Sequence, residues 1–369
     1  MINEKKILIS CINSHSYGGA SYWENFVKNF VKISKKSQNR YFFLVNQNSK
    51  ISKLINKKNR IIVKNYIHKN IFLRFLCEQI FVPLFIFRKF KIKYFFNGKN
   101  IAPFLIKKKS IIVIQNMEPF YYYKLSFSKR KILLYFMYLL SVISLKNCYK
   151  IISVSNNTTN IIKKFTKNKI FVIPNGAYVS KKYKNKWSKY NTKNYILNSS
   201  KFVPYANQLK LLKIYKEANS RVKNLPNLHF AGDILDKEYF NEILRFIINN
   251  KLDKKIKFLG YLSKNKLHDQ MKNCKLFVFS SELESCPQTI LEARLVGCPI
   301  LSNDAQPMPE FIEKEGEYFK IDKLKESVDI LINSIYKINY KKSLKKKLEE
   351  YNWENVILKY FDILNNHEK

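Results

Sequence analysis

Two glutamates, Glu284 and Glu292, lie in the segment of the chain whose residue types are best suited to chemistry. This segment runs from Leu276 to Glu310 and reads LFVFSSELESCPQTILEARLVGCPILSNDAQPMPE. Its pattern predicts a strand, a polar loop, a helix, a Gly-Cys-Pro turn and a second strand, in that order. Glu284 then follows the first strand in the loop, whereas Glu292 lies about two turns inside the helix.

The start of this predicted helix offers backbone groups to an anion. At a helix N-terminus the free N–H groups and the positive end of the dipole suit a diphosphate. The backbone at this point is supplied by Ser285, Cys286, Pro287 and Gln288. The sequence therefore predicts a diphosphate site beside the two glutamates.

Each glutamate also has a purely structural interpretation. Thr289 and Glu292 have the spacing of a capping box, and so do Ser281 and Glu284. Taken alone, either glutamate is better explained as a cap or as a solvated side chain. The order of strand, loop, helix, Gly-x-Pro turn and strand favours a binding role for both.

Short β-branched and aromatic runs alternate with longer amphipathic stretches along nearly the whole chain, which predicts βαβ units and parallel sheets. The first series of predicted strands is Lys6–Ile12, Tyr41–Asn46, Arg60–Lys64, Lys93–Phe96, Ser110–Gln115, Lys150–Ser155 and Lys169–Ile173. The second series is Tyr195–Asn198, Leu228–Ala231, Lys255–Leu259, Leu276–Ser280 and Pro299–Ser302, with helices predicted over Gln208–Asn219 and Tyr239–Asn249.

The two series are separated by a polar, basic stretch, 179–193, which we interpret as an interdomain linker. The predicted fold class is α/β, with two doubly wound, Rossmann-like domains at 1–178 and 194–350. In such sheets ligands bind beyond the carboxyl ends of the strands. We therefore expect the two domains to face a cleft that holds the site.

The charge of the chain is strongly positive and uneven. Its 369 residues include 68 Lys and Arg against 27 Asp and Glu, a net charge of +41. Residues 1–180 carry 33 Lys and Arg and four acidic residues, a net charge of +29. Such a field attracts polyanions, either nucleic acid or an anionic membrane. Alternatively, the lysines are simply solvated over the whole surface, and no standard nucleic-acid-binding module is visible.

The cysteines and the apolar runs bear on the cellular compartment. The six cysteines form no C-x-x-C pair and no Cys/His cluster, which favours reduced thiols in the cytoplasm over a zinc site or a disulfide framework. The uncharged run from Ile132 to Leu145 is too short for the roughly 20 residues that span a bilayer. We expect neither a signal peptide nor a transmembrane helix.

The segment with the two glutamates resembles the donor-binding segment of family 4 glycosyltransferases, whose pattern is S-x-x-E-[SG]-[FC]-P-x-x-x-x-E-A, then G-x-P, then P-E. The matching positions are Ser281, Glu284, Ser285, Cys286, Pro287, Glu292, Ala293, Gly297, Pro299, Pro309 and Glu310. The resemblance extends in order from about residue 6 to about residue 365. It implies the GT-B fold, with an acceptor-binding first domain, a nucleotide-sugar-binding second domain and a C-terminal helix, 352–366, that packs back on the first. That helix also reads as an ordinary amphipathic helix.

The resemblance implies a role for each matching residue of the second domain. Glu284 would bond hydroxyls of the donor sugar, Glu292 would hold the ribose, and the loop ending in Tyr261 would read the nucleobase. Lys201 and Asn207 would flank the diphosphate. Ala206 stands where the family has a second lysine. Either Lys201 suffices, or Lys210 or another base reaches in, or the enzyme is weak or inactive.

Weaker matches lie in the first domain. Gly18 and Gly19 follow the first strand and would open a helix from Ala20 to Ile33, which lets backbone approach a phosphate or sugar, although a Gly-Gly pair is also an ordinary turn. Gln115 or Asn116 would replace a histidine that faces the donor sugar in many relatives. The five histidines have no paired spacing and are interpreted as ordinary core or surface imidazoles, His15 being the one candidate for a sugar contact.

The implied activity is transfer of a hexose-type sugar from a nucleotide-sugar to a saccharide acceptor with retention of configuration, in surface polysaccharide or lipooligosaccharide biosynthesis. No D-x-D motif occurs, so we expect neither a metal nor another cofactor. The segments Ile71–Lys93 and Lys129–Lys150 combine apolar aromatic faces with cations. They predict a lipid-linked acceptor and a cytoplasmic enzyme at the inner face of the membrane, unless they are two core helices. There are two alternatives to this enzyme. One is a non-catalytic relative that binds a sugar nucleotide, and the other is a nucleic-acid-binding protein.

Overall fold

The computed structural model describes residues 4–12, 17–35, 37–124, 128–179, 193–336 and 348–365. The chain divides into two compact units. Unit 1 comprises residues 1–176 together with 350–369, and unit 2 comprises residues 177–349. The predicted linker, 179–193, lies almost entirely outside the described residues.

Within its described residues, unit 1 is built on a seven-stranded parallel sheet of order β3-β2-β1-β4-β5-β6-β7. The strands are β1 (Lys6–Ser10), β2 (Arg40–Asn46), β3 (Arg60–Val63), β4 (Tyr94–Asn97), β5 (Ser110–Ile114), β6 (Lys150–Ser153) and β7 (Ile170–Val172). The helices are α1 (Tyr17–Ser34), α2 (Lys50–Lys53), α3 (Asn65–Lys69), α4 (Ile71–Leu76), α5 (Phe87–Phe90), α6 (Lys129–Asn147) and α7 (Asn156–Ile162). A π-helix, Cys77–Ile86, joins α4 to α5.

The central strands of this sheet are apolar along their whole length because helices cover both faces. On one face, Phe42 and Phe95 pack with Val82 and Ile86 of the π-helix. The π-helix contains Pro83, which has no N–H for a regular helical hydrogen bond. The segment Ile71–Lys93, which the sequence analysis singled out for its apolar aromatic face, is therefore helical but irregular.

Within its described residues, unit 2 has a six-stranded parallel sheet of order β10-β9-β8-β11-β12-β13. The strands are β8 (Tyr195–Ser199), β9 (Asn227–Ala231), β10 (Ile256–Phe258), β11 (Leu276–Phe279), β12 (Ile300–Asn303) and β13 (Glu317–Phe319). The helices are α8 (Gln208–Arg221), α9 (Lys237–Asn249), α10 (Lys264–Asn273), α11 (Gln288–Val296), α12 (Met308–Ile312) and α13 (Leu324–Tyr336). Counted within unit 2, the strand order is 3-2-1-4-5-6, which is that of a doubly wound nucleotide-binding sheet.

Short 3-10 helices connect several of these elements. They are Lys57–Asn59, Phe104–Ile106, Glu118–Lys124, Lys163–Phe165, Pro204–Ala206 and Glu349–Tyr351.

The last helix of the described chain, α14 (Trp353–Asn365), belongs to unit 1 and packs along α1. Tyr360 is fully buried, and its ring meets that of Phe26 edge-on at a centroid distance of 5.3 Å. Trp353 lies against Gly176, where an added Cβ would come within 2.5 Å of the indole. Helix α14 therefore completes the core on the α1 face of the sheet.

The two doubly wound units confirm the predicted fold class. All twelve predicted strands are present, with ends that differ by up to two residues. The sequence did not predict β13, which is three residues long and begins with the exposed Glu317.

Candidate functional site

The loops that follow β8 and β11 are tied together in unit 2. Ser280 donates from Oγ to the carbonyl of Ala206 at 2.7 Å, and the N–H of Glu282 donates to the carbonyl of Tyr205 at 3.0 Å. Strands β8 and β11 are parallel neighbours, so both loops leave the same edge of the sheet. The structure thus brings the Lys201–Asn207 loop beside the loop that carries Glu284.

The Lys201–Asn207 loop is shaped by the backbone conformation of Asn207 and by the side chain of Gln208. Asn207 adopts the left-handed conformation, with φ of 57°, and caps the start of α8. Gln208 is buried and donates from Nε2 to Ser200 Oγ and to the carbonyl of Lys201, each at 2.8 Å. These bonds fix the turn at residues 200–201, and the side chain of Lys201 is exposed.

A third feature, Gly232, lies directly against this turn. It has φ of +154°, and an added Cβ would lie 1.9 Å from the carbonyl oxygen of Ser200. Its N–H donates to the carbonyl of Gly260 at 2.9 Å, which links the turn to the loop after β10. Tyr261 follows in that loop and is exposed.

Helix α11 begins at Gln288, with Pro287 as its N-cap. Pro287 makes no side-chain capping bond, and Glu284 and Ser285 before it are half-buried. Cys286 is buried. The predicted loop and helix start are therefore in the predicted places, at the carboxyl edge of the sheet.

Glu292 is buried inside α11 and faces α10. Its Oε1 accepts a hydrogen bond from Nζ of Lys264, and its Oε2 lies 3.5 Å from Nε2 of His268. The side chains of Glu292 and His268 are 2% and 0% exposed, whereas that of Lys264 is 35% exposed. A buried carboxylate requires such a counter-charge because desolvation of an ion is costly.

Both capping-box interpretations are wrong. Thr289 lies inside α11, where the N-cap is Pro287, and Glu292 turns to Lys264 instead of the helix start. Ser281 lies in the loop and donates from Oγ to the carbonyl of Tyr205 at 3.5 Å, with no described helix beginning there.

Sequence reasoning missed Lys264 and His268. Their spacing of four residues places both on one face of α10, which packs against α11. That spacing was a usable signal, but nothing in the sequence pairs α10 with α11. For His268, the expectation of a core imidazole holds, in a position that faces a carboxylate.

Lys210, the alternative base for the missing lysine, is engaged elsewhere. Its Nζ lies 2.7 Å from Oδ1 of Asp322 in an exposed ion pair. Ala206 itself is buried, at 2% exposure. In the described structure Lys210 is thus paired with Asp322, whereas Lys201 is exposed in the turn before α8.

The predicted unit 1 residues lie at the carboxyl ends of its strands. Gln115 and Asn116 follow β5, and both of their backbone N–H groups donate to Oδ1 of Asn100 at 3.3 Å. Oδ1 of Asn116 accepts from the N–H of Glu118 at 2.9 Å, so this side chain shapes the following 3-10 helix.

The glycine pair lies inside a helix. Helix α1 starts at Tyr17, which corrects the predicted start at Ala20 and puts Gly18 and Gly19 in its first turn. His15 lies outside the described residues.

An ion pair between the buried Glu78 and the half-buried Lys99, which the sequence did not predict, lies at the same edge of unit 1. Lys99 Nζ is 2.9 Å from Oε2 of Glu78, and Ser10 Oγ donates to Oε1 of Glu78 at 3.2 Å. Burial lowers the pKa of Lys99, and the neighbouring Glu78 carboxylate partly offsets this change. The pair joins the π-helix to the ends of β1 and β4.

Unit 1 also has an exposed apolar surface, which we call the aromatic face. It is formed by Phe72, Phe81, Phe85, Leu133 and Phe136, which are 49–67% exposed. The same helical segments also carry the cations Arg74, Arg88, Lys89, Lys129, Arg130 and Lys131. These helices also bury an inner side, with Val82, Ile86, Leu134 and Leu145, so the core-helix interpretation holds for that side.

The two helical segments that carry the aromatic face are linked through the backbone of Ala102. Gln79 of the π-helix donates from Nε2 to the carbonyl of Ala102 at 3.3 Å, and the N–H of Ala102 donates to Ser144 Oγ of α6 at 3.0 Å. In the described part of the chain no helix is long and apolar enough to cross a membrane. No group of three or more His, Cys, Asp or Glu residues could hold a metal ion within those same residues.

Comparisons with known proteins agree with this architecture. Residues 179–355 match the family Glycosyl transferases group 1. The capsular polysaccharide biosynthesis glycosyltransferase CapH of Staphylococcus aureus is 30% identical over 173 residues, which are 46% of each chain. The alignment therefore spans about half the length of that relative.

Solved structures align over nearly the whole chain. Anabaena Alr3699/HepE, in complex with UDP and glucose, has a TM-score of 0.69 at 15% identity and covers 98% of this chain and 99% of its own. Sucrose-phosphate synthase (tll1590) from Thermosynechococcus elongatus has a TM-score of 0.71 at 11% identity, with 98% of each chain covered. At these identities the likeness establishes the fold, which is GT-B.

Proposed function

We propose that this chain is a GT-B glycosyltransferase that transfers a hexose-type sugar from a nucleotide-sugar to a saccharide acceptor in surface polysaccharide or lipooligosaccharide biosynthesis. The observation that carries the proposal is the junction of the β8 and β11 loops. It collects Lys201, Asn207, Glu284 and the start of α11 at the carboxyl edge of one sheet. The group 1 match over residues 179–355 and the similarity to CapH support the same reaction class.

The residues at this junction suit an activated sugar. The N-terminus of α11 and the ammonium of Lys201 would stabilise negative charge on the leaving diphosphate. The carboxylate of Glu284 would accept hydrogen bonds from sugar hydroxyls and orient the ring, and the carboxylate of Glu292 would hold the ribose. We propose that transfer retains the anomeric configuration and uses no metal, with binding and positioning as the roles of both glutamates.

A second candidate is a relative that binds a nucleotide-sugar without transferring the sugar. The observation that favours it is Ala206, which is buried where the family pattern has a lysine. Loss of one electrostatic donor to a developing charge costs about 2.7–4 kcal/mol of barrier. Lys201 would then be the one side-chain cation of the family pattern left to assist the N-terminus of α11 at the diphosphate.

Release of nucleoside diphosphate from a panel of nucleotide-sugars, with and without saccharide acceptors, tests the two candidates. UDP-glucose is the first donor to try because Alr3699/HepE was crystallised with UDP and glucose. Glu284→Gln and Lys201→Ala should each lower turnover by about 10²–10³-fold. The matched controls are Glu282→Gln in the same loop and Lys213→Ala on α8, both exposed, which should retain activity. Tight donor binding without product would favour the second candidate.

We further propose that the acceptor is lipid-linked and that the aromatic face of unit 1 places the enzyme on an anionic, inner membrane surface. Exposed aromatic side chains rimmed by cations are typical of an interfacial helix, and each nearby Lys or Arg adds about 1 kcal/mol of attraction to anionic lipid. Phe81 and Phe85 stack at a centroid distance of 5.2 Å and are exposed together.

Flotation with liposomes tests this part of the proposal. We expect binding to vesicles that contain phosphatidylglycerol, weaker binding in high salt, and a loss in the double variant Phe81→Ser/Phe85→Ser. Ile248→Ser, which removes an exposed apolar side chain from unit 2, is the control. Equal binding to vesicles of phosphatidylcholine alone would contradict the proposal, and a salt-dependent gel shift with DNA or RNA would favour a nucleic-acid partner.

A further inference from the structure

We infer that Lys264 is a second contact for the nucleotide, so that Lys264 and Glu292 together select a ribose diol. The inference rests on the proposed function, because it assumes that a nucleotide-sugar occupies unit 2. It assigns a specificity role to a residue that lies outside the segment of the two glutamates.

The first argument is access. Of the three side chains in this cluster, Glu292 and His268 are buried and only Lys264 is partly exposed, at 35%. His268 packs behind the carboxylate, with the ring of Tyr178 at a centroid distance of 6.4 Å. A ligand that approaches Glu292 from solvent therefore meets the Lys264 ammonium as it reaches the carboxylate.

The second argument is hydrogen-bonding capacity. An ammonium has three N–H donors, and Lys264 uses one of them on Oε1 of Glu292. Each carboxylate oxygen accepts more than one hydrogen bond, and within the described residues Oε2 of Glu292 accepts none. The pair thus combines unused donors on the partly exposed Lys264 with unused acceptor capacity on the carboxylate buried behind it.

The third argument concerns which group fits. A phosphate oxygen would accept from Lys264 but would be repelled by the adjacent carboxylate. A hydroxyl can accept from Lys264 and donate to Glu292 at once, and a vicinal diol can satisfy both side chains. The diol of a ribose is the part of a nucleotide-sugar's nucleoside that has this chemistry.

Deletion of one ligand hydroxyl at a time tests the inference. Binding of UDP, 2′-deoxy-UDP and 3′-deoxy-UDP is measured by calorimetry on the wild-type chain and on the variants Lys264→Met and Lys264→Gln. Lys264→Gln keeps an N–H donor toward Oε1 and guards against misfolding around an unpaired Glu292. Lys266→Met removes an exposed lysine two positions along the same helix and is the control.

We expect loss of a hydroxyl to weaken wild-type binding about tenfold or more, which is the size of a hydrogen bond to a charged group. In both Lys264 variants this penalty should shrink at least threefold, whereas Lys266→Met should leave it unchanged. An unchanged penalty in folded Lys264 variants would overturn the inference while leaving the proposed function intact. A wild-type chain that binds no nucleoside diphosphate across a panel of bases would overturn the proposed function itself.

Discussion

Substitution of Gly232 by alanine should destabilise unit 2 and disturb its candidate donor site together. The new Cβ would lie 1.9 Å from the carbonyl oxygen and 2.8 Å from the carbonyl carbon of Ser200. These are backbone atoms, so no side-chain rotation can relieve the clash. The φ of +154° adds a conformational cost of about 1–3 kcal/mol for any residue with a Cβ.

The expected loss is about 3 kcal/mol or more in the free energy of unfolding. For a unit of this size, each kcal/mol lowers Tm by about 2–4 °C, so Gly232→Ala should lower it by about 6–12 °C. Gly260→Ala is the matched control, because Gly260 has φ of +63° and no atom within 4 Å of an added Cβ. It should cost only about 1–2 kcal/mol.

Thermal unfolding followed by circular dichroism on the full chain measures both variants. The folded fraction of Gly232→Ala should also bind UDP-glucose more weakly, because the carbonyl of Ser200 and the N–H of Lys201 must shift to make room for the new Cβ. If Gly232→Ala melts at or above the Tm of Gly260→Ala, the close packing of the β8 and β9 loops is refuted.

Two further predictions concern unit 1. Trp353→Ala should lower the free energy of unfolding by about 3–5 kcal/mol in urea titrations, because it leaves a cavity beside Gly176 where the indole is buried. Leu358→Ala truncates an exposed side chain of the same helix and should cost much less. Glu78→Gln should cost about 1–3 kcal/mol because it removes the charge that faces the half-buried Lys99 ammonium, and the double variant Glu78→Gln/Lys99→Met should recover part of this loss. Burial lowers the pKa of Lys99, so the folded chain binds the Lys99 proton less firmly than the unfolded chain does. The free energy of unfolding should therefore increase as pH rises toward 10.5, the ordinary pKa of a lysine side chain. This increase should be absent from the variant Lys99→Met. A rise of equal size in both proteins would contradict this assignment.

The sequence predicted the sheets well because their strands are short, continuous apolar runs bounded by polar loops. Ile111–Ile114 and Leu276–Phe279, for example, are buried along their whole length. Strand β13 was missed because Glu317-Tyr318-Phe319 is too short to show a period, and its place at the sheet edge depends on pairing with β12.

The start of α1 and the side-chain partners were predicted less well. The sequence predicts the start of α1 at Ala20, since a Gly-Gly pair usually favours a turn over a helix, whereas the helix begins at Tyr17. The partners of Glu292 and Glu78 come from elements distant in the chain, Lys264 on α10 and Lys99 after β4. Local spacing contains no information on such pairs, because the tertiary packing of the helices brings them together.

The packing of α14 on unit 1 has a consequence for folding during translation. Unit 2 is one uninterrupted stretch of chain, whereas unit 1 needs Trp353, Val356 and Tyr360 to close its interior. Translation delivers these side chains only after the whole of unit 2. Unit 1 is therefore synthesised first but can complete its core only after unit 2 has been made. In the interval, its exposed apolar surface is available to chaperones or to self-association.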